Sequence, residues 1–191
     1  KNSYGRDLSS RAIFMTKGII LAGGSGSRLL PMTLASSKQL MPIYDKPMIY
    51  YPLSLLLLGG VKEILIITTP RDKEAFQKIL GDGKQWNISI SYDQQEKPNG
   101  IAESLLIAEE WLEDSHSVLI LGDNFYFGHG LPKLLQSSFL REEGATIFLH
   151  QVSDPERYGV AKFDEEKKII TIDEKPKKAD SKWAVTGMYC F

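Results

Sequence analysis

Cysteine and histidine are scarce in this sequence: Cys190 is the only thiol, and there are three histidines among 191 residues. A lone thiol cannot close an internal disulfide, which fits a reducing, cytoplasmic setting, and Cys190 reads as a packed strand residue rather than a nucleophile. No Ser-His-Asp or Cys-His arrangement stands out, so covalent catalysis is not the expectation. Net charge is also missing, with 23 Lys and Arg against 24 Asp and Glu. That balance excludes a global basic field for a nucleic-acid backbone, so any anion must be met locally. The longest apolar run, 48–58, is interrupted by Tyr50, Tyr51 and Ser54. It falls short of the roughly 20 residues of a membrane helix and reads as a buried helix. Residues 1–16 lack a signal-peptide core and are expected to be an N-terminal extension or cloning remnant, with Met15 as a natural start. Residues 17–191 are expected to be one domain, cut short at its C-terminal end.

What is present alternates in kind. Short apolar runs at 18–22, 63–68, 88–92, 117–121, 146–151, 160–163, 169–173 and 184–190 predict strands. Amphipathic segments at 47–58, 72–80, 100–112 and 131–142 predict helices. The alternation gives an α/β fold, a Rossmann-like and mostly parallel sheet flanked by helices. The stretch "FDEEKKIITIDEKP" keeps the strand period around a charged turn, so a hairpin is expected near the C-terminal end. Polar clusters follow the strands, where ligands collect in open parallel sheets. They are "AGGSGSR", "DQQEKPNG", "GDN" and "EKP".

The glycines at 23, 24 and 26 let bare main chain approach phosphate oxygens, with Arg28 and Lys38 available to neutralise them. Taken alone, the loop is better read as a tight strand-to-helix turn. It is not a Walker A loop, because no Gly-Lys-Ser/Thr closes it, and "GSGSRL" has Leu29 where a dinucleotide fingerprint needs a third glycine. An oxidoreductase is therefore disfavoured. Asp123 in "LILGDN" is a hard oxygen donor suited to Mg²⁺, or a cap for the next turn. "EKP" offers the Glu174 carboxylate and the Lys175 ammonium, or simply a solvated hairpin end. Gln39 serves either the nucleotide or its own loop, and Tyr158 either the core or a sugar.

The letters "LAGGSGSRLLPMT" and "SKQLMPIYDKPMIYYPL" resemble the nucleotide-binding signature of the sugar-1-phosphate nucleotidyltransferases, in their thymidylyltransferase branch. The similarity runs on in order through "EILIITTP", "LGDN", "GATIFLHQVSDPERYGV", "EKP" and "WAVTG", from residue 17 to the last. The resemblance implies a Mg²⁺-dependent reaction of dTTP with glucose 1-phosphate. Its products would be dTDP-glucose and pyrophosphate, in the supply of deoxysugars of the dTDP-rhamnose type and surface polysaccharide. It implies a nucleotide site of Gly23, Gly24, Gly26, Ser27, Arg28, Lys38, Gln39, Gln95 and Gly100. Gln95 and Gly100 would read the base. It implies a sugar-phosphate site of Gly159, Glu174, Lys175 and Val185, and a metal at Asp123. Arg28, Lys38, Asp123 and Lys175 would carry catalysis by neutralising charge.

Two letters depart from the family's usual spelling: Asn99 stands where Asp is common and Glu103 where Gln is common. The resemblance also implies downstream elements that carry a second metal-binding Asp, part of the sugar pocket and much of the oligomer contact. The same chemistry with UTP or CTP, and a catalytically silent nucleotide-sugar-binding module, are the alternative expectations.

Overall fold

A computed structural model describes residues 16–191 except 25, 98, 142 and 167. The expected extension at 1–16 therefore lies almost wholly outside the described residues. In chain order the strands are β1 (Lys17–Ala22), β2 (Pro42–Ile43), β3 (Lys46–Pro47), β4 (Glu63–Thr68), β5 (Ser89–Gln94), β6 (Ser117–Leu121), β7 (Thr146–Gln151), β8 (Gly159–Phe163), β9 (Ile169–Glu174) and β10 (Trp183–Cys190). The α-helices are α1 (Tyr50–Gly59), α2 (Lys73–Leu80), α3 (Ile101–Leu112) and α4 (Leu131–Ser138).

Strands β1, β4 and β6 are nearly continuous apolar runs because both of their faces are covered. Successive side chains point to opposite faces. Ile20, Ile64, Ile66 and Ile120 thus enter one core with Leu53, Leu56, Phe76 and Leu135 from α1, α2 and α4. Ile19, Leu65, Ile67 and Leu119 enter a second core with Ala108 of α3. Fully burying one such aliphatic side chain stabilises the fold by about 1.5–3 kcal/mol. This two-sided sandwich therefore dominates the energetics.

The parallel strands run in the order β5-β4-β1-β6. The chain builds outward from β1 with helices on one face, then returns through α3 on the other face to place β6 beside β1. The order in which strands are added reverses between these two parallel strands, and ligand sites form at such a reversal. Beyond β6 the sheet becomes antiparallel. β10 pairs with β7 along one edge, at residues 183–185 and again at 189–190. Its other edge is shared: Met188, Tyr189 and Cys190 lie against β6, and Ala184 against β8. The sheet forks there, and β8 with β9 forms the hairpin expected from the alternating charged stretch.

Several boundaries differ from the sequence expectation. Residues 46–47 pair with 42–43 in a small hairpin, and Met48 and Ile49 donate their N–H groups to Met41 and Gln39 carbonyls. Helix α1 therefore starts at Tyr50, not at Pro47. It ends at Gly60, whose φ of 92° lets its N–H close on the Leu56 and Leu57 carbonyls. Helix α4 stops at Ser138, four residues before the expected end.

Cys190 is buried in β10 as expected, with Sγ 3.0 Å from Ser138 Oγ. Burial pushes its thiol pKa up to about 11. At pH 8 only about one thiol in a thousand is then ionised, and the thiolate is the reactive form. Native protein should react with iodoacetamide at pH 8 on the order of 100-fold more slowly than the same chain in guanidinium. Mass-spectrometric labelling kinetics check this, and equal rates in the two states would contradict it.

Candidate active site

The turn after β1 is shaped by Gly26, whose φ is 61°. A Cβ there would lie 2.6 Å from Thr33 Cγ2, while Thr33 Oγ1 donates to the Gly26 carbonyl at 2.9 Å. No side chain fits that spot, so the loop keeps bare main chain toward the outside. One-turn helices at Ser27–Leu29 and Lys38–Leu40 then carry Arg28 and Lys38. Neither turn was evident from the letters, because three residues are too few to establish a period.

After β6, the Gly122 N–H donates to the Leu21 carbonyl at 2.9 Å, tying the end of β6 to the end of β1. That bond sets Asp123 opposite the glycine turn. Lys38 Nζ donates to Asp123 Oδ2 at 2.9 Å, with the two side chains 30% and 35% exposed. A pair this open is worth about 1 kcal/mol at most. Stability therefore does not account for it. Gly24, Gly26, Ser27, Arg28, Lys38, Gln39 and Asp123 line a single cavity of about 430 Å³. Arg28 is exposed and has no ion-pair or hydrogen-bond partner among the described residues. The lining thus carries one net positive charge, as an anion site requires.

Gln39 is buried with Oε1 accepting from Ser37 Oγ at 2.6 Å, and its Nε2 lies near Gly24. Gly23 is buried beside Gln95, whose Oε1 would be 3.1 Å from a Cβ at that glycine. Gln95 does not line this cavity; its amide is bound to the Gly100 carbonyl and to Glu103. Gly100 caps the start of α3 with φ 101° and ψ −178°.

The fork in the sheet makes the second hollow, about 510 Å³, lined by Asn124, Tyr158, Gly159, Glu174, Val185 and Gly187 among others. Gly159, Glu174 and Val185 thus line one hollow. Glu174 Oε2 lies 3.2 Å, and Val185 Cγ2 3.6 Å, from where a Cβ on Gly159 would be. Lys175 does not line this hollow. Its φ is 44°, its N–H donates to the Tyr158 carbonyl, and its ammonium sits 3.2 Å from Glu174 Oε1. Asp123 in the first cavity and Asn124 in the second are adjacent, so the two hollows meet at this loop.

Sequence reasoning missed what holds the junction. Asn124 Nδ2 and the Tyr126 hydroxyl both donate to the Thr186 carbonyl, at 2.6 and 2.7 Å. Burial pushes the Tyr126 hydroxyl pKa up to about 12, so it stays protonated and remains a donor. This clamp fixes the bulge of β10 at Gly187. An unassigned "N-x-Y" after an acidic turn was the only available signal. A third hollow, about 930 Å³, lies beyond the loop and is lined largely by apolar and aromatic groups such as Phe125, Phe127 and Leu134. Its lining also includes Arg141 and Asp123, whose charges cancel, so net charge assigns the anion to the smaller cavity.

No group of three or more His, Cys, Asp or Glu side chains able to hold a metal occurs among the described residues. A single half-buried carboxylate such as Asp123 does suit Mg²⁺, which takes most of its ligands from phosphates and water.

Comparison with known proteins identifies the family. The sequence profile of the nucleotidyl transferase family matches residues 17–191. The chain belongs to that family. It is 55% identical, over 92% of its length, to a glucose-1-phosphate thymidylyltransferase of Xanthomonas campestris pv. campestris (strain B100), of which it covers 59%. It is 50% identical over the same share of its length to the enzyme of that name from Neisseria meningitidis serogroup A, of which it covers 61%. A solved Bacillus anthracis structure named as a glucose-1-phosphate thymidylyltransferase, in complex with sucrose, superposes with a TM-score of 0.86 at 40% identity. That superposition covers 92% of this chain and 71% of that one. The chain thus spans about three fifths of the length of the curated relatives it matches.

Gly187 has a φ of 78°, and a Cβ there would sit 2.5 Å from Asn124 Nδ2 and 2.7 Å from Leu121 Cδ1. Gly187→Ala should therefore lower the unfolding free energy by roughly 1–3 kcal/mol, from backbone strain and displacement of Asn124. Urea denaturation measures this, and an unchanged midpoint would show that the bulge does not need glycine.

Proposed function

We propose that this chain carries the nucleotide and sugar-phosphate sites of a glucose-1-phosphate thymidylyltransferase, which joins dTTP and glucose 1-phosphate into dTDP-glucose with release of pyrophosphate. The observation that carries the reading is the single cavity holding the glycine turn, Arg28, Lys38 and Asp123, adjoining a second hollow lined by Gly159, Glu174 and Val185. Names of relatives at 50–55% identity support the choice of substrates.

In the reaction a phosphate oxygen of the sugar phosphate attacks the α-phosphorus of dTTP. The bond from that phosphorus to the oxygen bridging toward the β-phosphorus breaks, and pyrophosphate leaves. Such a displacement asks the protein for alignment and for neutralisation of crowded negative charge, not for a nucleophile. Main-chain N–H groups at Gly23, Gly24, Gly26 and Ser27 orient the triphosphate, and Gln39 supports the turn from beneath. Arg28 and Lys38 offset its charge as it moves to the leaving group. Glu174 accepts from hexose hydroxyls, while Gly159 and Val185 give the sugar close contact. Lys175 meets the sugar's phosphate at the rim. Gln95 and Gly100 meet the base. Asp123 would hold Mg²⁺, which when bound offsets phosphate charge. The product would feed deoxysugar and surface-polysaccharide synthesis in the cytoplasm.

Two substitutions test this on the full-length enzyme. Arg28 is exposed and unpartnered, so Arg28→Ala should leave unfolding within about 0.5 kcal/mol of the parent. It should cut pyrophosphate release on the order of 100-fold. Equal turnover would remove Arg28 from the site. Asp123→Asn should abolish the dependence of dTTP binding on MgCl₂ in calorimetric titrations, whereas a metal response like the parent's would place the ion elsewhere.

A further inference from the structure

Gln95 is only 3% exposed, where the chain leaves β5, and its backbone N–H donates to the Thr68 carbonyl at 2.8 Å. Its side-chain Nε2 donates twice, to the Gly100 carbonyl at 3.1 Å and to Glu103 Oε2 at 2.5 Å. The other oxygen of the same carboxylate accepts from Asn99 Nδ2 at 2.9 Å. A side-chain amide has two N–H donors, and an ionised carboxylate has none. Both donors of Gln95 are thus occupied within the protein. Turning the amide over would set its oxygen against two acceptors, a carbonyl and a carboxylate. Oε1 is left facing Gly23, without a hydrogen-bond partner among the described residues.

We propose that Glu103 is a positioning residue for nucleotide selectivity: by capturing the amide of Gln95 it makes that side chain an acceptor only, so the base opposite must offer a ring N–H. The inference rests on the reading above that Gln95 meets the base. Thymine and uracil carry a protonated N3 between two carbonyls and can donate to Oε1. Cytosine presents a bare N3 lone pair, which would face the lone pairs of Oε1 with no water to relieve it. A buried acceptor facing an acceptor is disfavoured strongly, because both groups lose hydration and gain no partner. Glu103 acts at one remove: it touches Gln95 and Asn99, and through them it sets which edge of a pyrimidine is accepted. The device separates thymine and uracil from cytosine and does not separate thymine from uracil.

The test is calorimetric titration of dTTP and of dCTP, with MgCl₂ present, into the full chain, into Glu103→Gln, and into the double variant Asn99→Asp/Glu103→Gln. An amide at position 103 can present either its oxygen or its nitrogen to Gln95, so in Glu103→Gln only the Gly100 carbonyl still opposes turning over of the Gln95 amide. Glu103→Gln should lower the ratio of dTTP to dCTP affinity about tenfold, with the melting temperature within about 2 °C of the parent. In the double variant a carboxylate at 99 takes the donors of the amide at 103 and turns its oxygen back toward Gln95. The ratio should then recover, which a merely structural role for Glu103 would not produce. A preference for dTTP unchanged in Glu103→Gln overturns the positioning role and leaves the base site standing. Loss of the preference without recovery in the double variant also overturns it. A parent chain that binds dCTP as tightly as dTTP overturns both the role and the base site.

Discussion

Strands β1 and β6 lie side by side and parallel although almost a hundred residues separate them, and Leu21 and Leu121 share a register. The chain first builds β4 and β5 outward from β1 and then crosses back beneath the sheet through α3. The loops leaving β1 and β6 therefore emerge side by side, each leading to a helix on the same face, α1 and α4, with no strand between them. The glycine turn and Asp123 face each other for this reason, and Lys38 bridges them. An exposed pair of that kind adds little to stability. Its meaning is electrostatic: it holds one cation and one anion at the rim of a cavity whose remaining cation, Arg28, is unpaired.

The second dependence is on β10. A single strand shared between β6 and β8 on one edge obliges the sheet to open, and the opening is the hollow that Glu174, Gly159 and Val185 line. Gly187 bends the strand at that point, and Asn124 holds the bend by bonding the Thr186 carbonyl. Asp123 and Asn124 are consecutive in the chain. One loop thus joins the two hollows, and a nucleotide in one and a sugar phosphate in the other would meet beside it. The geometry explains how two weak local signals, a glycine turn and a "GDN", combine into a site.

Strand positions were legible because a buried parallel strand needs an apolar run and little else; β4, β6 and β7 fall on the expected residues. The hairpin of β8 and β9 was legible from its alternating charge. The start of α1 was not: Pro47 suits a helix's first turn, yet residues 42–47 pair with each other, and nothing local outweighs the Pro signal. The convergence of Gly24, Arg28, Lys38 and Asp123 could be expected only by combining strand order with the rule for ligand positions, since Lys38 and Asp123 are 85 positions apart in the chain. The partners of Gln95 were invisible, because Glu103 lies on the next helix and a sequence does not say which atoms of an amide are already bound. The position of Lys175, paired with Glu174 outside the hollow, was equally out of reach, as it follows from a left-handed residue at the strand's end.

The central claim is that the triphosphate occupies the small charged cavity between the β1 and β6 loops. A crystal structure of the protein with dTTP, MgCl₂ and glucose 1-phosphate tests it most directly. The account predicts phosphate oxygens within hydrogen-bonding distance of the Gly24 and Gly26 main chain and of Arg28, with the pyrimidine ring against Gln95. Phosphates bound instead in the aromatic hollow of Phe125 and Phe127, with Arg28 free in solvent, would contradict it.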